Sequence, residues 1–396
     1  MAARIDRRAP ELARGSVVVA LLIATATVAA EPAASTDAQI IGGDPGWRVE
    51  DVQLRTSYID QRGHGFQSQD GPPQGPGSEA MYIVEPFALI TIRQSADVVH
   101  EVTIPVDVIT AASPDAVDAM TSASRRNEAV DIDVRSTFRR SDTDAITTRV
   151  MAHYEEPLSS GTIGAGWRRS LADDNATLAI NGNVSLDGFD KHDQYGDYLG
   201  KTLRETGNLN ASLSQLLSPT TVIDGSYGGT FEHGTLTNGW NGVPIQGLHP
   251  AGDFVPVGRM RHALTARIAQ HIPQTHSTLK AWYRFYADTW GIYGHSVEID
   301  AYQYVLPWLY VRGGYRYHHQ TAADFYTEGL VPPVANTLLR TSDSDLARLS
   351  AHEWSVQVST VHQRNRAWSL SAELLRYTRS NDLAITAVSL TLARTL

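Results

Sequence analysis

LKAWYRFYADTWGIYGHSVEIDAYQYVLPWLYVRGGYRYHHQTAADFY, residues Leu279–Tyr326, decides the fold. It holds three runs of strict alternation joined by two short breaks. In the first, Leu279, Ala281, Tyr283, Phe285 and Ala287 share one face, and Lys280, Arg284 and Asp288 the other. In the second, Val297, Ile299, Ala301 and Val305 oppose Glu298, Asp300, Tyr302 and Tyr304. In the third, Leu309, Val311, Tyr315 and Tyr317 oppose Arg312, Arg316, His318 and Gln320. Successive side chains of a strand point to opposite sides, so each run is a β-strand with one apolar and one charged face. Tyr and Trp gather towards the run ends, as at a membrane–water boundary. An apolar face for lipid and a polar face for a lumen is the pattern of a transmembrane β-barrel.

The same alternation recurs along the chain. Further runs are Val49–Ile59, Tyr82–Arg93, Val98–Ile109, Ala129–Arg139, Ala145–Glu155, Ser160–Ser170, Asn175–Asp187, Gly207–Leu217, Thr220–Glu232 and Arg259–Ile272. Glu353–His362, Ala367–Tyr377 and Leu383–Arg394 complete the set. The fold class is all-β: a transmembrane antiparallel up-and-down barrel of about 16 strands, within a range of roughly 14–16. Most runs approach the roughly 9–11 residues that cross a bilayer when tilted. The long connections are Gly63–Gly77, Ala111–Glu128, Gly188–Thr206, His233–Gly258 and Thr321–Ala351. All follow odd-numbered strands, so they fall at one end of the barrel and the short turns at the other. A soluble β-sandwich has no reason to keep that parity.

Composition bounds the remainder. Mean hydropathy is −0.24, and after the first 30 residues no stretch is apolar enough for a membrane helix. A net charge of −10 argues against nucleic acid, which selects a clustered basic face. There is no cysteine, which removes disulfides and thiolate chemistry. Arg4, Arg7, Arg8 and Arg14 precede the apolar run Ser16–Ala30, the layout of a secretory signal. The expected organisation is a signal peptide over 1–30, a loose segment over 31–47 and the barrel over 48–396.

DVITAASPDAVDAMTSASRRNEAVDID (Asp107–Asp133), WYRFYADTWGIYGHS and GGYRYHHQTAADFY resemble an uncharacterised bacterial family of exported outer-membrane β-barrels, of the type named domain of unknown function 3570. The resemblance runs from about Val49 to the C-terminus and implies a fold and a Gram-negative outer-membrane location, with no assigned activity. One departure is the final residue. Outer-membrane barrels usually end in an aromatic residue read by the insertion machinery, whereas this chain ends in Leu396, sharing a face with Leu390 and Leu392.

Alternation assigns the lumen-lining candidates: Arg135, Arg149, Arg261, Arg267, Arg284, Glu298, Asp300, Arg312, Arg316 and His318. With Arg139, Arg259 and Lys280 the cations number close to the anions Asp131, Asp133, Glu155, Asp187, Asp288, Glu298, Asp300, Glu353 and Glu373. Near balance implies facing ladders of opposite charge, and about 16 strands leave room for an aqueous channel. A porin-like or transport-related barrel is the leading reading. A non-conducting adaptor or structural barrel is the second. A rim hydrolase is the third, built on His318, His319, His295, Asp288, Asp324 and Ser296 with Arg316 beside them. No spacing matches a metal motif, and neither a catalytic residue nor a cofactor is assigned. The acidic pieces Asp173-Asp174, Asp187–Asp193 and Asp343–Asp345 read as solvated loop charge, with Ca²⁺ as the alternative. The loop Ala111–Ser124 could fold inward as a plug. Expected partners are outer-membrane lipid and lipopolysaccharide and the barrel-insertion machinery; homo-oligomerisation is left open.

Overall fold

The computed structural model describes residues 46–63, 81–111, 127–155, 158–192, 198–237, 242–243, 245–246, 251–327, 338–361 and 367–396. The strands are β1 (Arg48–Arg62), β2 (Met81–Arg93), β3 (Val98–Ala111), β4 (Asn127–Arg139), β5 (Asp144–Glu155) and β6 (Leu158–Leu171). Next come β7 (Ala176–His192), β8 (Tyr198–Ser218), β9 (Thr221–Gly234), and the short β10 (Gly242–Val243) and β11 (Ala251–Gly252). The chain continues with β12 (Gly258–Ile272), β13 (Ser277–Asp288), β14 (Tyr293–Leu306), β15 (Leu309–Gln320), β16 (Leu349–Thr360), β17 (Trp368–Arg379) and β18 (Ala384–Thr395). All but β10 and β11 pair in sequence order into one closed antiparallel barrel of 16 strands. β10 and β11 pair with each other.

Closure is made by β1 and β18, which stay in register from Asp51↔Thr395 to Arg62↔Ala384. The amide of Leu396 extends this seam by donating to the Glu50 carbonyl at 2.8 Å. In lipid an unpaired strand edge costs several kcal/mol per orphaned group, so this seam decides whether the sheet can sit in a membrane. The shortest barrel strands have 12 residues. At 3.3 Å per residue they are about 40 Å long, and a tilt near 40° leaves about 30 Å along the barrel axis, the thickness of a hydrocarbon core.

The usual order of burial is inverted. Val150, Ile163 and Leu264 are 59%, 63% and 55% exposed, whereas Glu155, Asp187 and Asp300 are 1%, 7% and 7% exposed. The apolar parity of each strand therefore faces out and the charged parity faces the barrel interior. Trp47, Trp167 and Trp368 sit at the short-turn end, where β1 and β17 begin and β6 finishes. Tyr58, Tyr154 and Tyr317 stand on the outer face towards the long-loop end.

One feature was not readable beforehand. The span Gly188–Thr206, expected as a loop, is mostly strand, because β7 runs on to His192 and β8 begins at Tyr198. Its Gly, Asp and Lys content carries no apolar alternation. The ladder continues nonetheless, helped by Arg204 Nε donating to Asp187 at 2.7 Å and by the Arg204 guanidinium over the Phe189 ring. Pro86 and Pro105 also lie within neighbouring strands, β2 and β3, and the pairing of those strands skips from Val84↔Val108 to Phe87↔Pro105. Proline lacks the N–H a ladder needs, so the wall is thinned at that place. Residues 1–45 lie outside the described residues, and with them the expected signal peptide.

If β18 closes the sheet, a proline at Leu390 removes a ladder donor between β1 and β17. Leu390→Pro should abolish the heat-modifiable folded band on electrophoresis, whereas Leu390→Val, which keeps the lipid-facing apolar group, should retain it.

Candidate functional site

The interior wall carries arginine–carboxylate pairs, most of them set across neighbouring strands where alternation brings both charges to the same side. Arg149 meets Asp133 at 2.8 Å, Arg204 meets Asp187 at 2.7 Å, and Arg55 meets Glu85 at 2.9 Å. Arg261 holds Glu232 and Arg267 holds Asp224, both at 2.7 Å. Arg312 reaches Glu373 at 2.6 Å and approaches Asp300 at 3.8 Å, and Arg316 bonds Glu353. Guanidinium–carboxylate bonds are about twice as strong as neutral ones, and their planar donors fix the side chains against the wall. Gly314 makes room for one such group, since a Cβ there would lie 2.7 Å from Asp300 Oδ1 and 2.5 Å from Ser355 Oγ.

The remaining predicted lining residues are placed as follows. Glu298 stands between Trp282 and Arg316 on its two neighbouring strands. Arg135 is exposed and lies across from Glu101 on one side and Arg149 on the other. Arg284 lies between Thr265 and Ser296. His318 Nδ1 and Ser296 Oγ share a hydrogen bond of 2.9 Å, and His318 Nε2 bonds Gln320 Oε1 at 3.2 Å. Lys280 lies over the Tyr302 ring.

The rim cluster read from the sequence is dispersed. Ser296 and His318 are neighbours, but the third group on the imidazole is the Gln320 amide, which cannot stabilise an imidazolium as a carboxylate does. His319 bonds Ser350 and His295 bonds Tyr283, both on the outer face. Asp288 is committed to Arg259. Asp324 packs over Gly291, whose φ of 84° turns the chain between β13 and β14 and leaves no space for a Cβ. Among the described residues no three His, Asp or Glu side chains gather as a metal site. Of the acidic pieces, Asp174 takes Ser170, Asp187 takes Arg204 and Asp345 takes Arg379. The expected plug Ala111–Ser124 lies, apart from Ala111, outside the described residues.

At the long-loop end a different structure closes on the wall. Val255, Trp290, Ile292, Ala323 and Leu346 form a buried apolar cluster, with Leu236, Tyr286, Phe325 and Tyr326 packed on it. Trp290 meets Phe325 edge-on, with ring centroids 5.2 Å apart. These residues come from the connections after β9, β13 and β15, which makes the cluster a cap shared by three loops. Burying Trp290 and Ile292 contributes about 2 kcal/mol each. Because Tyr286 is an inward residue of β13, the cap rests against the inner wall. Phe254 and Arg340 exchange backbone bonds at 2.9 and 2.8 Å, tying the first loop to the third. A single-turn 3₁₀ helix, Ser344–Leu346, is capped by Asp343, and Asp345 anchors it to Arg379 of β17 at 2.6 Å.

Asp288 fastens the cap to the barrel. One carboxylate oxygen accepts from Arg259 Nη2 at 2.5 Å and from the Tyr286 hydroxyl at 2.8 Å. The other accepts the backbone N–H groups of Trp290 and Ile292 at 2.9 and 3.0 Å. Arg259 in turn lies 4.3 Å from the Trp290 ring centroid, and Trp290 Nε1 donates to the Gly258 carbonyl. The sequence placed Asp288 on the polar face but gave no sign of this hub. Its only signal is the apolar content of the loops, notably Trp290, Ile292 and Phe325.

The family described as a protein of unknown function (DUF3570) matches residues 181–390, just over half of the chain. The chain belongs to that family. The match takes in WYRFYADTWGIYGHS and GGYRYHHQTAADFY, and the whole cap with them, while Asp107–Asp133 lies outside it. No curated protein matches the chain. Solved structures that align with the chain include a FadL homologue of Pseudomonas aeruginosa, at 10% identity over 88% of this chain and 90% of that one, with a TM-score of 0.42. A BenF-like porin from Pseudomonas fluorescens Pf-5 aligns at 8% identity over 88% and 99%, with a TM-score of 0.45. OccD3 (OpdP) of P. aeruginosa aligns at 8% over 89% and 93%, also at 0.45. Likeness at this distance leaves the architecture to be argued from the strand pairing itself.

Arg259 and Asp288 are 8% and 9% exposed, so removing one charge strands the other. Asp288→Asn should loosen the cap by about 3 kcal/mol. Trypsin should then cut the folded barrel after Arg340, which is 8% exposed in the intact cap, at least tenfold faster than wild type.

Proposed function

We propose that this protein is an outer-membrane channel for small hydrophilic solutes, delivered by the N-terminal signal and narrowed at its outer mouth by the Trp290 cap. The long loops then lie outside the cell and the short turns in the periplasm. One observation carries the reading: a closed barrel of 16 strands with an apolar outer face and a charge-paired inner face. Barrels of 16–18 strands enclose an aqueous channel, and a charged wall is costly unless water reaches it. The pairing of nearly every inward arginine with a carboxylate favours a lumen without a strong field of either sign, suited to passage more than to capture of one highly charged ion. The Ser296–His318 pair supports no hydrolytic reading, having an amide where a charge-stabilising group is needed.

Refolded mature protein in planar bilayers should give conductance steps of stable size. Arg312→Ala and Arg316→Ala should change the step, since each frees an acid into the lumen. Trp290→Ala, which deflates the cap core, should enlarge it. A folded, heat-modifiable barrel that stays silent with and without Trp290 would overturn the channel reading and leave an adaptor barrel in its place.

A further inference from the structure

One inward row of the wall differs from the rest. Across β12 to β17 the directly opposed residues are Thr265, Arg284, Ser296, His318, Ala351 and Arg379. On these strands Arg259, Arg261, Arg267, Arg312, Arg316 and Arg379 each meet a carboxylate. Among the described residues Arg284 has no carboxylate within ion-pair distance. Its two cross-strand neighbours are hydroxyl residues, and the formal charge acting on it is that of Arg316, another cation. It is also half-buried, so water screens it less than a rim charge.

The surroundings define what would complete it. Gln320 Oε1 accepts only, so His318 Nε2 carries the proton and Nδ1 accepts from the Ser296 hydroxyl. The guanidinium is therefore the row's free set of strong donors. Its fork matches a carboxylate's two oxygens. On the same face of β13, Trp282 lies one step below Arg284 and Tyr286 one step above, each about 7 Å along the strand. These rings offer flat apolar surface on either side of the charge. The acids Glu298 and Glu353 lie one row lower, flanking Arg316, and Glu353 is already bonded to it. Tyr286 packs on the cap core, which puts the row directly beneath the cap.

We propose that Arg284, flanked by Trp282 and Tyr286 and neighboured by Ser296, is a binding site for a small organic carboxylate carrying a flat apolar body. A solute passing the cap meets this uncompensated cation first, and its carboxylate docks on the guanidinium while its ring lies along Trp282 or Tyr286. The proposal rests on the lumen being open to solutes, and it deepens the channel reading by giving the passage a preference for anions of this class.

The test separates binding from conduction. Detergent-refolded full-length barrel, checked for heat-modifiability, is titrated with benzoate and with uncharged benzamide by calorimetry and tryptophan fluorescence. Wild type should bind benzoate saturably and benzamide at least tenfold more weakly. Arg284→Gln should lose benzoate at least tenfold, and Arg284→Lys should recover part of it, keeping the charge without the fork. Equal binding of benzamide, or benzoate binding unchanged in a folded Arg284→Gln barrel, would overturn the site. Conductance without benzoate binding would overturn the site and leave the channel standing. Benzoate binding by a silent barrel would uphold the site and sink the channel.

Discussion

Everything in this molecule depends on the antiparallel seam between β1 and β18. Hydrocarbon offers no partner for a backbone N–H or C=O, so a sheet in a membrane is either closed or unstable. The first and last strands of the barrel, more than 300 residues apart in the chain, meet over the register from Asp51↔Thr395 to Arg62↔Ala384. With that ladder complete, the outward parity is free to be apolar and the inward parity to be charged. Without it neither assignment has a meaning, because there is no inside.

Closure also explains why the charges pair as they do. Inside a closed wall, inward residues on neighbouring strands are held side by side by the register. Arg267 and Asp224, or Arg316 and Glu353, face each other because their strands cannot slide by one residue without turning every Leu and Val inward. Individual pairs of this kind contribute about 1 kcal/mol or less where water reaches them. Their larger effect is on the lumen's character: pairing removes the field an unpaired row would create, so Arg284, half-buried with only hydroxyl residues directly opposite it, stands out.

Much of this was legible in the sequence, and the limits have physical causes. Strand identity followed from period-two alternation, which is why runs such as Arg259–Ile272 and Leu309–Gln320 coincide with β12 and β15 to within a residue. Strand ends were less readable. Beyond the hydrocarbon zone no apolar face is required, so β7 and β8 extend through Gly, Asp and Lys that resemble loop. Which acid meets which arginine depends on register across strands, and a single sequence does not display it. The cap was the least visible part. Its core residues, Val255, Trp290, Ile292, Ala323 and Leu346, come from three separate connections with no periodicity to link them.

That cap has a further consequence through Asp288. A single carboxylate gathers a guanidinium, a phenol and two backbone amides, belonging to the wall on one side and to the turn after β13 on the other. Such a hub does not yield gradually, since losing one donor weakens the geometry that holds the others. Together with the close-packed Trp290 core, it makes the wall and the turn after β13 hold or fail as one unit. The shape of this end of the barrel is therefore set by one acid and its four partners.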